Sequence, residues 1–472
     1  MKLYETYAGE IADLIRSGVL RPGERLPSVR QAKLQRKISA STVFEAYNLL
    51  EARGQIHCRP RSGYYVTERK GPRARQEPHT AAPAPESRSV AISDLVFEVL
   101  GNTRNLNLVP LGSAFASPYL FPLDKLAKGL TPQMKSLAPA QLTGHLTVGD
   151  EKLRRQIAVR YGTSGHHVEP AELVITNGAM EALNLSLQAV TQPGDVVVVE
   201  SPAFYAALQV LERLKLRAVE VATHPRTGVD LDSLAEVLRL HDVKACWFMP
   251  NFQNPLGCLM PLAQKQALVH LLAQHQVPLI EDDVYAELYY GHHRPLPAKA
   301  FDTQGLVLHC SSFSKSLAPG YRVGWVAAGR FAEQLHRIKL MSSLSTAIPP
   351  QLAIAAYLET GGFDRHLRQM RLRLEDNAAL ALRCIARHFP RETKVTRPQG
   401  GYFLWVELPR RIDALQVHRR ALAVGISIAP GHLFSADQRF HHHLRLNYGF
   451  HDSAELTRAL QTLGALLTSA DK

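Results

Sequence analysis

The chain has 472 residues, 46% of them hydrophobic and 21% charged, with a net charge of +13. This is the balance of a globular protein long enough for two to four domains of about 150 residues each. No run of about 20 apolar residues is present to span a bilayer, and the mixed-charge start lacks the apolar stretch of a secretory leader. The five cysteines are scattered with no C-x-x-C pair, so neither a disulfide framework nor a thiolate metal site is indicated, and a reducing cytoplasm fits best.

The charge is unevenly spread. Residues 1–75 hold 15 Lys and Arg against 7 Asp and Glu, a net of +8, which leaves +5 for the other 397 residues. A basic excess gathered in one terminal unit is the footprint expected of nucleic-acid binding; the plain alternative is a solvated basic surface.

Residues 1–67 read as helices followed by a hairpin. Leu3, Tyr7, Ile11, Leu14 and Ile15 recur at helical spacing and predict a first helix over about Lys2–Ser17, stopped by Gly18. Pro22-Gly23 marks a turn, and Pro27-Ser28 opens a second helix over about Val29–Gln35. In the third helix Ser39 is the expected N-cap, Val43, Ala46, Tyr47 and Leu50 the buried stripe, and Gly54 the stop. Its opposite face offers Ser39, Ala40, Ser41, Thr42 and Phe44, and small hydroxyl side chains there let a helix approach phosphates and base edges closely. QIHCRPRSGYYV then predicts two strands around a turn tipped by Arg59, Arg61 and Gly63.

The runs LRPGERLPSVR, S-x-S-T-V-x-x-A-Y-x-x-L-x-x-x-G and R-x-R-S-G-Y-Y-V make residues 3–66 resemble the winged helix-turn-helix domain of the GntR family. The resemblance implies Arg30, Ser39, Ser41, Thr42, Arg61 and Gly63 at the DNA. Ala40 departs from the arginine that many members carry at the head of the recognition helix, and Arg36 and Lys37 are expected to supply that charge. A winged helix used for protein contacts is the bland alternative.

Residues 68–91 are rich in Pro, Ala and charge without apolar periodicity, which predicts an extended, mobile linker. From residue 92 to 472, short apolar strands alternate with helical stretches: ELVIT, DVVVVE, VKACWFMP, VPLIEDD, LVLHCSS and RVGWVAA. Such alternation predicts an α/β unit with a mostly parallel sheet, its large part covering about 120–340. GGYFLWVELP, ISIAPGHLF and HHLRLNYGF predict a smaller α+β part over about 341–472, joined by the N-terminal segment of this domain.

The chemistry concentrates in SSFSKSLAPGYRVGW, residues 311–325. A lysine between a buried strand and an apolar turn is costly to bury unless it is used. Desolvation lowers its pKa and frees the neutral amine to attack an aldehyde. Arg322 with Ser312 and Ser314 suits a phosphate. Asp282 in VPLIEDDVY lies 33 residues before Lys315, and Asn254 in PNFQNPLG lies 28 before Asp282. The acid suits a protonated pyridine nitrogen, and Tyr285 and Asn254 suit a ring oxygen. Each of these residues ends a strand, where ligands of such sheets bind. In TNGAMEAL, Gly178, Ala179 and Met180 place backbone N–H groups at a helix start, ready for phosphate. Phe204 in ESPAFY suits stacking on the ring.

Together these residues resemble fold-type I pyridoxal-phosphate enzymes, the aspartate aminotransferase superfamily, over about residues 110–468. That resemblance implies pyridoxal 5'-phosphate held as an aldimine on Lys315, with Asp282, Asn254, Tyr285, Arg322, Ser312 and Ser314 in the roles above. It also implies that Arg445 in HLRLNYG clamps a carboxylate. GHLTVGDEKLR matches the family's Y-G-x-x-x-G-x-x-x-L-R at Gly149, Leu153 and Arg154, but Gly144 stands where the tyrosine would be.

Both halves in one chain resemble the MocR subfamily of GntR regulators, whose aminotransferase-like domain senses an effector. The implied function is a transcription regulator on double-stranded operator DNA, homodimeric, that answers an amino acid or amine by aldimine exchange at Lys315. Two alternatives use the same residues: an active aminotransferase with an accessory DNA-binding head, or a cofactor that only stabilises the fold. His441-His442-His443 and His292-His293 read as surface clusters without acidic partners, so no metal is expected.

Overall fold

The computed structural model describes residues 3–16, 19–21, 23–52, 55–59, 62–67, 75–78, 80, 83–101, 108–138, 148–291 and 293–469. They divide between two units, Met1–Ala74 and Arg75–Lys472.

The first unit consists of α1 (Leu3–Arg16), α2 (Val29–Arg36), α3 (Ala40–Ala52) and a hairpin of β1 (Ile56–Arg59) and β2 (Gly63–Val66). Two serines start its helices. Ser28 and Gln31 exchange side-chain and backbone bonds across the first turn of α2, and Ser39 Oγ accepts the Thr42 N–H at 3.0 Å at the head of α3. Tyr7, Ile11, Leu26, Val43, Ala46, Tyr47, Leu50, Ile56 and Val66 form one core. Leu3 does not join it: it is 58% exposed, and the buried stripe of α1 begins at Tyr7 and is completed by Ala8 and Ala12.

The second unit is built on a nine-stranded mixed sheet, counted among the described residues. Its path runs β3 (Arg88–Ser89), β7 (Arg217–His224), β6 (Val196–Ser201), β9 (Val243–Phe248), β10 (Leu279–Asp282), β11 (Val307–Ser312), β12 (Gly324–Ala327) and β5 (Leu173–Thr176), with β8 (Gly228–Val229) beside β7. The strands from β7 to β11 are parallel, and β12 runs against both of its neighbours. Successive residues of these strands face opposite sides, and both sides are covered. Val197, Ala245, Ile280 and Leu308 pack with the helix Ala179–Val190, while Val198, Cys246, Leu279 and Val307 pack with the helices Leu231–Leu240 and Leu262–Gln274. This explains why the strands read as continuous apolar runs.

A second sheet orders β13 (Lys394–Val395), β14 (Phe403–Glu407), β17 (His443–Asn447) and β16 (Ala429–Pro430). Beside it β4 (Val109–Pro110) pairs in parallel with β15 (Ile426–Ser427), which anchors the segment that follows β4.

The linker expectation needs correction where the structure describes it. From Arg75 onward the chain is fastened to the second unit. The Arg75 guanidinium donates to the Ala386 and Phe389 carbonyls, both at 3.1 Å. Glu77 pairs with Arg226 at 2.7 Å, Gln76 O accepts the Val395 N–H at 2.9 Å, and β3 adds to the edge of β7. Charged side chains that read as solvated in the sequence find fixed partners more than a hundred residues away.

Candidate functional site

A cavity of about 230 Å³ opens at the carboxyl ends of the parallel strands. Five of the predicted residues reach it from strand ends or the turns after them. Asp282 closes β10, Ser312 closes β11, Ser314 and Lys315 follow in the next turn, and Tyr285 lies three residues beyond β10. Phe204, Ala179, Met180 and Arg322 complete that wall.

Asp282 is 1% exposed, and its Oδ1 has no hydrogen-bond partner among the described residues. Burial, reinforced by the neighbouring Asp283 carboxylate, lifts its pKa from 3.8 to about 7. Lys315 is the complementary case. Burial, then the Arg445 charge, lowers its pKa from 10.5 to about 7. Its Nζ donates to Ala114 O at 2.7 Å and stands 3.7 Å from the centre of the Phe115 ring. The amine is therefore poised between its two protonation states at neutral pH.

The phosphate end is built around glycine. Gly178 has φ +81°, and a Cβ there would stand 2.3 Å from a guanidinium nitrogen of Arg322. The same guanidinium donates to Ser314 Oγ at 3.0 Å. Arg322 adopts φ +51°, and β12, reversed against its neighbours, brings Gly324 so close to Gly178 that neither position admits a side chain. The first N–H groups of the helix Ala179–Val190 open toward this cradle, with the positive end of its dipole.

Asn254 and Arg445 sit deeper. Asn254 is fully buried, its Oδ1 accepts from Arg445 at 3.1 Å, and its Nδ2 has no partner among the described residues. Arg445, also fully buried, donates to Gly112 O at 2.6 Å and lies 4.5 Å over the Phe403 ring and 5.4 Å over the Phe434 ring. Neither residue lines the cavity.

Between them runs a segment that the sequence did not reveal, Gly112–Phe115. Its carbonyls accept from Arg445 at Gly112 and from Lys315 at Ala114, and Asn447 Nδ2 donates to Ser113 O and Phe115 O. Gly112 was the available signal, because a Cβ there would come within 2.5 Å of the Ile428 backbone.

A further network lies beneath Asp282. Asp283 meets His309 at 2.9 Å, His309 meets Tyr161 at 2.6 Å, Trp325 donates to Tyr161 at 2.9 Å, and Asn251 donates to Asp283 at 2.8 Å. It fixes the backbone at the end of β10 and keeps a second carboxylate beside Asp282.

The pocket fits pyridoxal 5'-phosphate. One oxygen of the buried Asp282 carboxylate is unpartnered and could face a cationic ring nitrogen, the unpartnered Asn254 amide N–H₂ behind the cavity wall could reach an oxygen, and a Gly–Arg–Ser cradle at a helix start suits a phosphate.

On the first unit, Arg30 is exposed on α2, and at the head of α3 Ser39, Ala40 and Ser41 are exposed and Thr42 half-exposed. The hydroxyls cluster, with Ser39 Oγ 2.8 Å from Ser41 Oγ and 2.7 Å from Thr42 Oγ1. Arg36 pairs with Glu10 at 2.9 Å and lies over the Tyr7 ring, so it is tied into the head. Lys37 is exposed at φ +53°. Gly63 opens β2 at φ +109°, 3.4 Å from Arg25 if it bore a Cβ, and Arg59 lies over the Tyr65 ring. Arg61 and Gly144 fall outside the described residues.

Residues 134–463 match the aminotransferase class I and II family, and residues 3–66 match the bacterial regulatory proteins of the gntR family. The chain is 46% identical over 468 residues to the HTH-type transcriptional regulator YdcR of Escherichia coli (strain K12), covering 99% of each. The chain belongs to the GntR regulators of MocR type. The HTH-type regulator YjiR of the same strain is 37% identical, with 98% of each chain covered. The aminotransferase half of this MocR-type regulator also resembles the solved structure of LysN, an alpha-aminoadipate aminotransferase of Thermus thermophilus complexed with N-(5'-phosphopyridoxyl)-L-leucine. The TM-score is 0.73 and the identity 30%, over 79% of this chain and 94% of that one. No helix among the described residues is long and apolar enough to cross a membrane.

The expectation that the histidine clusters lack acidic partners is overturned for His441. Asp413 and His432 bring their ligand atoms within 4.8 Å of its own and of each other. His292 lies outside the described residues.

Proposed function

We propose that this regulator, working as a cytoplasmic homodimer on double-stranded operator DNA, uses its second unit to sense an amino compound that bears a carboxylate. One observation carries the reading. Lys315 and Arg445, an amine and a guanidinium, bond to two carbonyls of one short segment, Gly112–Ala114, beside the cofactor cradle. An amine and a carboxylate on one small molecule are the groups that compete for those two positions.

When bound, the cofactor supplies an aldehyde carbon that exchanges one primary amine for another, and a ring that withdraws electrons. Lys315 is the resident amine, and burial keeps a large fraction of it neutral near pH 7. Asp282 would hold the proton on the ring nitrogen. Asn254 and Tyr285 would donate to the ring oxygen, Phe204 would stack on the ring, and Arg322, Ser312, Ser314 and the N–H groups after Gly178 would hold the phosphate. Arg445 receives the effector carboxylate through its planar fork. At the head, Ser39, Ser41 and Thr42 approach the DNA backbone, Arg30, Lys37, Arg61 and Gly63 add DNA contacts, and two heads call for paired half-sites.

Fluorescence anisotropy with the DNA upstream of the protein's own gene tests this. The expected result is binding above that to unrelated DNA, changed by an amino acid only when the cofactor is loaded and Lys315 is present. Binding no tighter than to unrelated DNA overturns it. A second reading, an active aminotransferase, is favoured by the Lys315 pKa near 7, a value matched to proton transfer at neutral pH. Multiple-turnover conversion of an amino acid with a 2-oxo acid supports it, and a spectral change without turnover supports the sensor.

A further inference from the structure

Away from the cofactor pocket, three side chains from separate stretches of the C-terminal part converge. Asp413 precedes the helix Ala414–Ala423, His432 sits in the turn Gly431–Phe434, and His441 precedes β17. His432 Nε2 is 2.8 Å from His441 Nδ1 and 3.4 Å from Asp413 Oδ2. The two rings stand nearly perpendicular, 4.5 Å apart, so nitrogen edges meet rather than faces. The backbone fixes this approach. Ala414 N–H donates to His441 O at 2.7 Å, and Leu408 N–H donates to His442 O at 2.7 Å. The His442 ring is held aside by a bond to Ile412 O. Asp413 uses Oδ1 to cap its helix at Leu415 and Gln416, which leaves Oδ2 facing the histidines.

We propose that Asp413, His432 and His441 hold one divalent transition-metal ion. Two imidazole nitrogens and one carboxylate oxygen form a donor set for borderline ions such as Zn²⁺, Co²⁺ or Ni²⁺, with at least one position left for water. Metal–nitrogen bonds of about 2.0–2.1 Å in a tetrahedral site set neighbouring donors about 3.3 Å apart. The His432–Asp413 separation already matches, and the His432–His441 pair need open only by about 0.5 Å. His441 is on the surface and gives the ion a way in, while His432 is 6% exposed and gives the site a rigid inner wall. The competing account is a plain hydrogen bond between two neutral imidazoles. It explains the 2.8 Å contact, but it gives no role to the carboxylate oxygen turned toward both rings.

The turn that carries His432 also carries Phe434, whose ring packs against the Arg445 guanidinium. Metal occupancy therefore bears on the turn that walls the carboxylate position.

The test uses the full-length, cofactor-loaded protein with no added histidine tag. Isothermal titration with Zn²⁺ is expected to give one equivalent per chain, and Co²⁺ is expected to give visible ligand-field bands that Zn²⁺ abolishes. His441→Ala and Asp413→Asn should each weaken binding at least about tenfold, with the cofactor absorbance unchanged. Asparagine keeps the helix cap, so loss in Asp413→Asn is not unfolding. A His292→Ala/His293→Ala double variant should bind as the wild type does. Absence of stoichiometric binding, or binding unchanged in both site variants, overturns the proposal.

Discussion

Replacing Asp282 by asparagine should make the cofactor-free protein more stable and its cofactor complex weaker. The folded carboxyl has a pKa of about 7 against 3.8 in the ordinary state. The folded chain therefore holds a proton that the unfolded chain releases, and stability drains as pH rises from about 4 to about 7, then levels off. Integrated to pH 8, that interval corresponds to about 4 kcal/mol at most, and context reduces it to about 2–4 kcal/mol. Asparagine has the same shape and never ionises, so Asp282→Asn removes the penalty. Urea unfolding of the two cofactor-free proteins at pH 5 and pH 8 measures it. The variant's advantage should be partial at pH 5, about 1.7 kcal/mol at most, and full at pH 8. Cofactor affinity should move the other way. A hydrogen bond to a charged group is worth about 1.5–3 kcal/mol, so losing the carboxylate opposite the ring nitrogen should weaken binding roughly 10- to 100-fold. Equal stability of both cofactor-free proteins at pH 8 would refute the view that Asp282 is held ready for a cation.

Three further outcomes follow from the geometry. Gly178→Ala places a methyl group 2.3 Å from the Arg322 guanidinium at a positive φ; equilibrium dialysis should show cofactor affinity down at least about tenfold, a loss of about 1.4 kcal/mol, with the circular dichroism unchanged. Arg445→Lys keeps the charge but loses the fork; affinity for an amino acid should fall at least tenfold while that for the matching decarboxylated amine barely changes, read by absorbance titration. Ser39→Ala removes the cap of α3 and should cost the head about 1 kcal/mol by thermal unfolding, with weaker DNA binding in anisotropy.

The pocket was legible because most of the side chains that reach it stand at a strand end or in the turn after one, within spaced motifs. The structure brings Lys315, Asp282 and Arg322 to one cavity and Gly178 against Arg322, and residue type and order pointed to each of them. The Gly112–Phe115 segment was not legible, since it acts through main-chain carbonyls, which every residue carries. The fastening of Arg75 and Glu77 was hidden for another reason: their partners, at Phe389 and Arg226, lie far along the chain, and composition alone reads such charges as solvated. Arg36 looked available for DNA because its partner Glu10 belongs to another helix. His441 looked isolated because the turn between β16 and β17, not sequence proximity, brings His432 and Asp413 to it. The sheet was read as mostly parallel, and the reversal at β12 has no signature in hydrophobic pattern, although it is what sets Gly324 against Gly178.

On the sensing role proposed above, Gly112 and Ala114 already accept from Arg445 and Lys315, so the dose of effector at half-response would be set partly by residues the effector never meets. The apparent dissociation constant equals the intrinsic one divided by the fraction of molecules in which the segment has let go. Every kcal/mol by which the Ser113 hydroxyl or the Asn447 amide steadies the segment would raise that dose about fivefold. Substitutions there act as a threshold dial, separate from Arg445 and the cavity wall, which decide what is recognised. Such a regulator can be retuned to a richer or poorer supply of the same compound without any change in selectivity.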